Sequence, residues 1–296
     1  MRIGIDLGGT KIEAIAIDGA NALVRRRVSA PRGDYAATVA AVRGLVEGIE
    51  HELGSTCTVG IGIPGAISAV TGLVKNANST WLIGQPLDRD LERALGRPVR
   101  VSNDANCFAL SEATDGAAQG ARTVFGVILG TGTGGGIVVD GRVLEGRHRI
   151  AGEWGHNPLP WPRDSERPGP ACYCGRTGCI ETFLSGPGLS ATFTAIAGRR
   201  ADAAEVAALA DAGDADAHSA LAIYETQLAR ALASIINVLD PDVIVLGGGV
   251  SNIVRLYTRV PALLKPFVFS DSADTPIVAA RHGDSSGVRG AAWLWP

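Results

Sequence analysis

Residues 3–11 read Ile3-Gly4-Ile5-Asp6-Leu7-Gly8-Gly9-Thr10-Lys11. Ile3, Ile5 and Leu7 alternate as in a strand, and Gly8-Gly9 ends the run as a turn. A strand therefore delivers a carboxylate, Asp6, to a glycine turn. Glycines let backbone N–H groups approach phosphate oxygens, Thr10 adds a hydroxyl and Lys11 adds charge. A plain β-hairpin turn explains the same residues, and the spacing of a Walker P-loop is missing. The plan recurs twice. The apolar run Thr123–Leu129 leads into Gly130-Thr131-Gly132-Thr133-Gly134-Gly135-Gly136, and Val243–Leu246 leads into Gly247-Gly248-Gly249. Either late turn alone could be structural. Three strands with glycine-rich ends match a duplicated nucleotide-binding fold.

Composition agrees with that reading. Glycine supplies 39 of 296 residues, about 13% against a usual ~7%. Apolar residues make up 46% and charged residues 19%, enough for a large core and too ordered a mixture for global disorder. Basic and acidic residues nearly balance, 27 against 30, for a net charge of −3. That removes the basic footprint of a nucleic-acid or anionic-membrane partner. No secretory signal or membrane-length apolar run is present, so the expectation is a soluble cytoplasmic protein. A helix is expected from the N-cap Asp34, where Val39, Val42, Val46, Ile49 and Leu53 share one face. Others are expected near Asp88–Leu95, from Asp104 to Ala118 and across Ser185–Leu239. Asp140-Gly141 marks a hairpin.

Two clusters carry chemistry. Cys172-Tyr173-Cys174-Gly175-Arg176-Thr177-Gly178-Cys179 places three thiols within eight positions. Three thiolates suit a soft tetrahedral ion, and Zn²⁺ fits. A fourth ligand is needed; His156, in Gly155-His156-Asn157-Pro158, is the upstream candidate, with His148 beyond it. Cys57 and Cys107 stand apart and read as core. The second cluster, Ser102-Asn103-Asp104-Ala105-Asn106, sets a carboxylate between a strand end and a helix start. Such an aspartate serves as a helix cap or as a general base. Glu153 and Glu181 bracket the cysteine motif.

Together these motifs resemble the ROK family of bacterial sugar kinases and repressors, along the whole chain. The matching stretches are DLGGTK, NDAN at 103–106, GTGTGGG, GEWGHNP at 152–158, CYCGRTGCIE at 172–181 and LGGG at 246–249. Within the family, Lys75-Asn76-Ala77-Asn78-Ser79-Thr80-Trp81-Leu82 and His282-Gly283-Asp284-Ser285-Ser286-Gly287 look nearest to the manno(fructo)kinases. The resemblance implies an actin-like α/β fold with two domains and a cleft: residues 1–118 plus 284–296, and residues 119–283 with the zinc motif 156–179. It implies Asp104 as catalytic base, and Gly65, Asn78, Asn103, Glu153, His156 and Glu181 as sugar contacts. It assigns a structural Zn²⁺ to His156, Cys172, Cys174 and Cys179, and suggests a homodimer. Mg-ATP is expected against Asp6, Gly8, Gly9, Thr10 and Lys11, against Gly130, Thr131, Gly132, Thr133 and Gly134, and against Gly247, Gly248 and Gly249.

The expected activity is phosphorylation of the 6-hydroxyl of D-fructose, and of D-mannose. Glucokinase and N-acetylhexosamine kinase activities are the alternatives within the family. A sugar-responsive regulator is opposed by Asp104 and by a first strand that starts at residue 2, with no DNA-binding module before it. An actin-like chaperone ATPase would not need a zinc-braced sugar pocket. The stretch Trp161–Pro170 receives no role from sequence.

Overall fold

The computed structural model describes residues 1–296, Asp284 of the carboxy-terminal motif excepted. The strands are β1 (Arg2–Leu7), β2 (Lys11–Asp18), β3 (Asn21–Ser29), β4 (Thr58–Ile63), β5 (Ala66–Ile67), β6 (Val74–Lys75), β7 (Val99–Asn103), β8 (Thr123–Leu129), β9 (Thr133–Val139), β10 (Arg142–Val143), β11 (Val243–Gly247) and β12 (Ile277–Ala279). The helices are α1 (Tyr35–Leu53), α2 (Leu87–Leu95), α3 (Asp104–Thr114), α4 (Ile180–Leu184), α5 (Gly186–Ala197), α6 (Ala203–Asp211), α7 (Ala215–Leu239), α8 (Leu256–Leu264) and α9 (Ser286–Ala292). None is long and apolar enough to cross a membrane among the described residues.

The chain divides into two compact units. One comprises Met1–Gly120, Gly136–Ala151 and Asp284–Pro296; the other comprises Ala121–Gly135 and Gly152–Gly283. The sequence suggests a second domain unbroken from 119 to 283, but residues 136–151 group with the first unit. The reason is visible at Gly136, where a Cβ would lie 2.4 Å from the Ala105 carbonyl. Only glycine lets β9 pass so close to the start of α3.

In the first unit the sheet order is β3-β2-β1-β4-β7. The β1–β2 and β2–β3 pairs are antiparallel, while β1–β4 and β4–β7 are parallel. Asp34 caps α1, accepting from the Ala37 amide at 2.9 Å. The helix buries Val42, Leu45, Val46 and Ile49 with Ile3, Ile5 and Leu7 in one core. Parallel neighbours end on the same edge of a sheet. That edge therefore carries Gly8-Gly9 after β1, Pro64-Gly65 after β4 and Asn103-Asp104 at the end of β7.

The second sheet has the order β10-β9-β8-β11-β12, and β8, β11 and β12 are parallel. Gly247 pairs with Ile128, so the turns after β8 and β11 also share one edge. The 25-residue helix α7 buries Leu221, Tyr224, Leu228 and Leu232 in this unit. The Asp140-Gly141 hairpin joins β9 to β10, with positive φ at both residues, 48° and 72°. Helix α3 stops at Thr114, earlier than its apolar pattern suggests, where the chain turns under Glu112, whose carboxylate accepts from the Ala117 amide at 2.8 Å.

Candidate active site and metal centre

In the first unit the 8–11 turn is a tight hairpin. The Gly8 amide donates to the Lys11 carbonyl at 3.0 Å and Arg32 Nε donates to the Gly9 carbonyl at 3.0 Å. Thr10 is exposed. The Lys11 ammonium lies 4.0 Å from Glu13, which also pairs with Arg25 and Arg27. Burial, then the Glu13 charge, pushes the Asp6 carboxyl up to about 6, against partial relief from Lys11 and Arg27. A divalent cation at Asp6 would favour its ionised form.

Asn103, not Asp104, is the cap of α3. Its Oδ1 accepts from the amides of Ala105 and Asn106 at 2.9 and 3.4 Å. Its Nδ2 donates to the Gly65 carbonyl at 3.1 Å, which ties two of the sequence-predicted sugar residues together. An amide has two N–H donors, so one serves Gly65 and the other can serve a ligand. Asp104 is the first helical residue, and one oxygen accepts from the Ala105 amide at 2.8 Å. The capping role that competed with catalysis for Asp104 thus falls to its neighbour. Burial, then the Asp104 and Asp6 charges, pushes the Cys107 thiol well above its usual range; both carboxylates flank that buried sulfur. Gly65 has φ +98°, and a Cβ there would sit 2.4 Å from the Lys75 carbonyl. Asn78 is exposed beside buried Ser79, and a Cβ on Gly9 would lie 3.3 Å from the Ser79 hydroxyl. The Asn78 loop therefore adjoins the first glycine turn.

In the second unit the turn after β8 is shorter than its run of glycines. Gly130 to Gly132 form it, closed by the Gly130 amide donating to the Gly132 carbonyl at 2.9 Å. Thr133 and Gly134 already belong to β9. Thr131 is exposed, whereas Thr133 is buried and its amide donates to Glu181 at 3.0 Å. Glu181 therefore braces the glycine turn with one oxygen. Trp154, absent from the sequence-predicted set, donates to the Gly134 carbonyl at 3.0 Å and packs edge-on against Phe125. Gly248, with φ +83°, runs so close to β8 that a Cβ would meet the Leu129 carbonyl at 2.5 Å.

His156, Cys172, Cys174 and Cys179 form a four-ligand cluster whose ligand atoms all lie within 4.8 Å of one another. Cys174 and Cys179 sulfurs are 3.6 Å apart, and Cys172 Sγ is 3.6 Å from His156 Nδ1. Tetrahedral zinc with Zn–S of about 2.3 Å and Zn–N of about 2.05 Å has edges of roughly 3.8 and 3.6 Å. The donor set and the spacing both fit Zn²⁺. Burial, then the two neighbouring thiols, pushes the Cys179 thiol up to about 12; a cation at their centre offsets that mutual opposition. Cys57 and Cys107 are buried core residues elsewhere.

Tyr173 contacts the cluster, and a separate clamp holds the loop between His156 and Cys172. The Tyr173 hydroxyl lies 3.0 Å from His156 Nε2. Residues 161–170 form a strap on α7: Glu166 pairs with Arg230 at 2.5 Å and 2.8 Å and accepts from Gln227 at 3.1 Å. Arg230 also donates to the Trp161 carbonyl at 2.5 Å. Its side chain is 2% exposed and that of Glu166 8%. A charged residue on a buried helix was the one sequence signal for this clamp; its partner lies 64 positions away.

Residues 2–296 match the ROK family, and the chain belongs to it as a sugar kinase with a mixed α/β, actin-like kinase fold. It is 42% identical to the N-acetyl-D-glucosamine kinase of Photobacterium profundum, over 99% of each chain. The solved ROK hexokinase from Thermus thermophilus superposes with a TM-score of 0.87 at 35% identity, covering 99% of this chain and 96% of that one. A ROK family glucokinase from Streptomyces griseus, in complex with glucose and AMPPNP, gives 0.79 at 28% identity, over 99% and 98%.

Proposed function

We propose that the protein transfers the γ-phosphoryl group of ATP to the 6-hydroxyl of N-acetyl-D-glucosamine. The observation that carries this is 42% identity, over 99% of both chains, to a kinase named for that sugar. It favours the N-acetylhexosamine alternative over fructose, which the KNANSTWL loop suggests. Glucose is the second candidate, on the likeness to a glucokinase seen with that sugar.

Phosphoryl transfer asks for positioning and charge neutralisation more than covalent chemistry. Asp104 accepts the proton of the attacking hydroxyl as that oxygen forms its bond to phosphorus. Asn103, fixed by its cap bonds and by Gly65, orients the hydroxyl beside Asp104; Asn78 adds a further contact. In the second unit, Glu153, His156 and Glu181 are the groups that would contact the sugar ring. The glycine turns, 8–11 in the first unit and 130–134 and 247–249 in the second, would each offer backbone N–H groups to phosphate oxygens, and Asp6 would hold the Mg²⁺ that accompanies ATP. His156, Cys172, Cys174 and Cys179 would hold a Zn²⁺ that supplies structural order to the 156–181 region.

A coupled ADP-release assay across N-acetylglucosamine, N-acetylmannosamine, glucose, mannose and fructose tests this. The highest kcat/KM is expected for N-acetylglucosamine. A higher value for fructose or glucose would reject the substrate and keep the kinase; no sugar-dependent ADP release would reject both.

A further inference from the structure

Tyr173 sits between two of the thiols, Cys172 and Cys174, in the tightest part of the metal knuckle. Its side chain is 84% exposed, yet its tip is not loose. The hydroxyl lies 3.0 Å from His156 Nε2, and the two rings meet edge-on, with centroids 5.2 Å apart and planes at 87°.

The metal side of the imidazole decides what this contact is. Nδ1 lies 3.6 Å from Cys172 Sγ and belongs to the ligand cluster. A ring nitrogen that ligates a metal cannot carry the proton, so metal at Nδ1 would place the proton on Nε2. With a metal on Nδ1, the bond would run from His156 Nε2–H to the Tyr173 oxygen. On the functional reading above, a sugar hydroxyl takes that same N–H. One N–H makes one good hydrogen bond, so phenol and sugar compete for it.

We infer that Tyr173 sets the sugar affinity: its hydroxyl accepts the His156 Nε2–H that the sugar needs, and the sugar must displace it to bind. The geometry suits an exchange. The ring is mostly in water, so turning the side chain outward uncovers little apolar surface, and exposed rotamers change in picoseconds to nanoseconds. The His156 backbone is tied by Cys179 Sγ, 3.6 Å from its carbonyl, and a metal at Nδ1 would hold the ring in place. This inference rests on the assignment of His156 as a sugar contact.

Tyr173→Phe keeps the ring and removes the competing oxygen. A single hydrogen bond of this type changes an equilibrium about two- to tenfold. With the zinc-loaded full chain, the equilibrium Kd and the KM for the sugar are expected to fall by about that factor. kcat and the KM for ATP are expected to stay within about twofold, and zinc content to be unchanged by elemental analysis. Tyr173→Leu, which also lacks the hydroxyl, should shift sugar affinity in the same direction. Structural damage to the knuckle moves every readout the other way, with weaker sugar binding and lost zinc. Unchanged or weaker sugar binding by zinc-replete Tyr173→Phe overturns the inference. The measurement is made on N-acetylglucosamine, glucose and fructose. A different preferred acceptor rejects the substrate proposal, while the ratio of variant to wild type on that acceptor still decides the role of Tyr173.

Discussion

Replacing Arg230 by methionine removes the cation that neutralises Glu166 inside the second unit. Both side chains are buried, 2% and 8% exposed. Methionine fills much of the arginine stem's volume, so lost packing is small and lost charge dominates. Breaking a buried pair by removing one partner leaves an uncompensated ion and costs about 3–5 kcal/mol. At about 2–4 °C per kcal/mol for a unit of this size, Tm should fall by roughly 6–20 °C. The sign of the pH dependence is set by Glu166. Burial alone raises its carboxyl, but hydrogen bonds from Arg230, the Arg163 amide and Gln227 outweigh that and hold it below the usual range. A depressed carboxyl stabilises the native state above its unfolded pKa, about 4.3, and that contribution is lost as pH falls through the folded value. The Tm gap between wild type and Arg230→Met should be full at pH 7 and should narrow as pH falls, first as the buried, cation-free Glu166 of the variant takes up a proton and then as the wild-type carboxyl does. The double variant Arg230→Met with Glu166→Leu should recover most of the loss, because an apolar pair leaves no charge behind. Zinc retention links the clamp to the site, since residues 157–171 join His156 to Cys172. Scanning calorimetry and the rate of zinc transfer to a chromogenic chelator read both effects; faster release is expected from the single variant. A Tm gap below about 2 °C at pH 7, with wild-type zinc release, would show that the clamp neither stabilises the unit nor holds the knuckle.

Asp104→Asn retains the shape and removes the base, so kcat should fall by roughly 10²–10⁴ with sugar Kd within about tenfold; stopped assays and calorimetric binding read the two, and near-normal kcat rejects the role. Cys179→Ser should lose about one zinc per chain, lower Tm and weaken sugar binding far more than ATP binding, with no rescue by excess Mg²⁺; a metal-free variant of unchanged sugar affinity contradicts it. Asp6→Asn separates stability from catalysis. Burial and Glu13 raise Asp6 to about 6, so the native state is favoured at low pH, and that stability is lost as pH rises through 6. The variant should therefore exceed wild type in Tm at pH 8, match it near pH 4, and lose activity at both through weaker Mg²⁺ binding. A variant less stable than wild type at pH 8 counts against this account.

The motifs that sequence alone determined are short and complete within themselves. Eight residues, 172–179, hold three of the four candidate metal ligands, because thiols that close together in one loop can converge on a single ion without help from the rest of the fold. Three strand-plus-glycine runs announced the duplicated α/β plan, because backbone that turns sharply or approaches another chain segment has no substitute for glycine. What remained undetermined turned on neighbours distant in sequence or on one residue's backbone angles. Asn103 and Asp104 are both good caps, and only the extended φ, ψ of Asn103, −65° and 148°, assigned the cap to one and left the other in the first helical turn. Glu181 looked like a surface acid until the fold set it against the Thr133 amide, 48 positions away. Trp161–Pro170 had no pattern to read because its anchor is on α7. Tyr173 is one more residue between cysteines until the knuckle closes and turns its hydroxyl onto His156. Sequence spacing specifies ligands that one loop can supply; contacts between loops depend on which strand ends the sheets bring to a common edge, and that is a property of the tertiary structure.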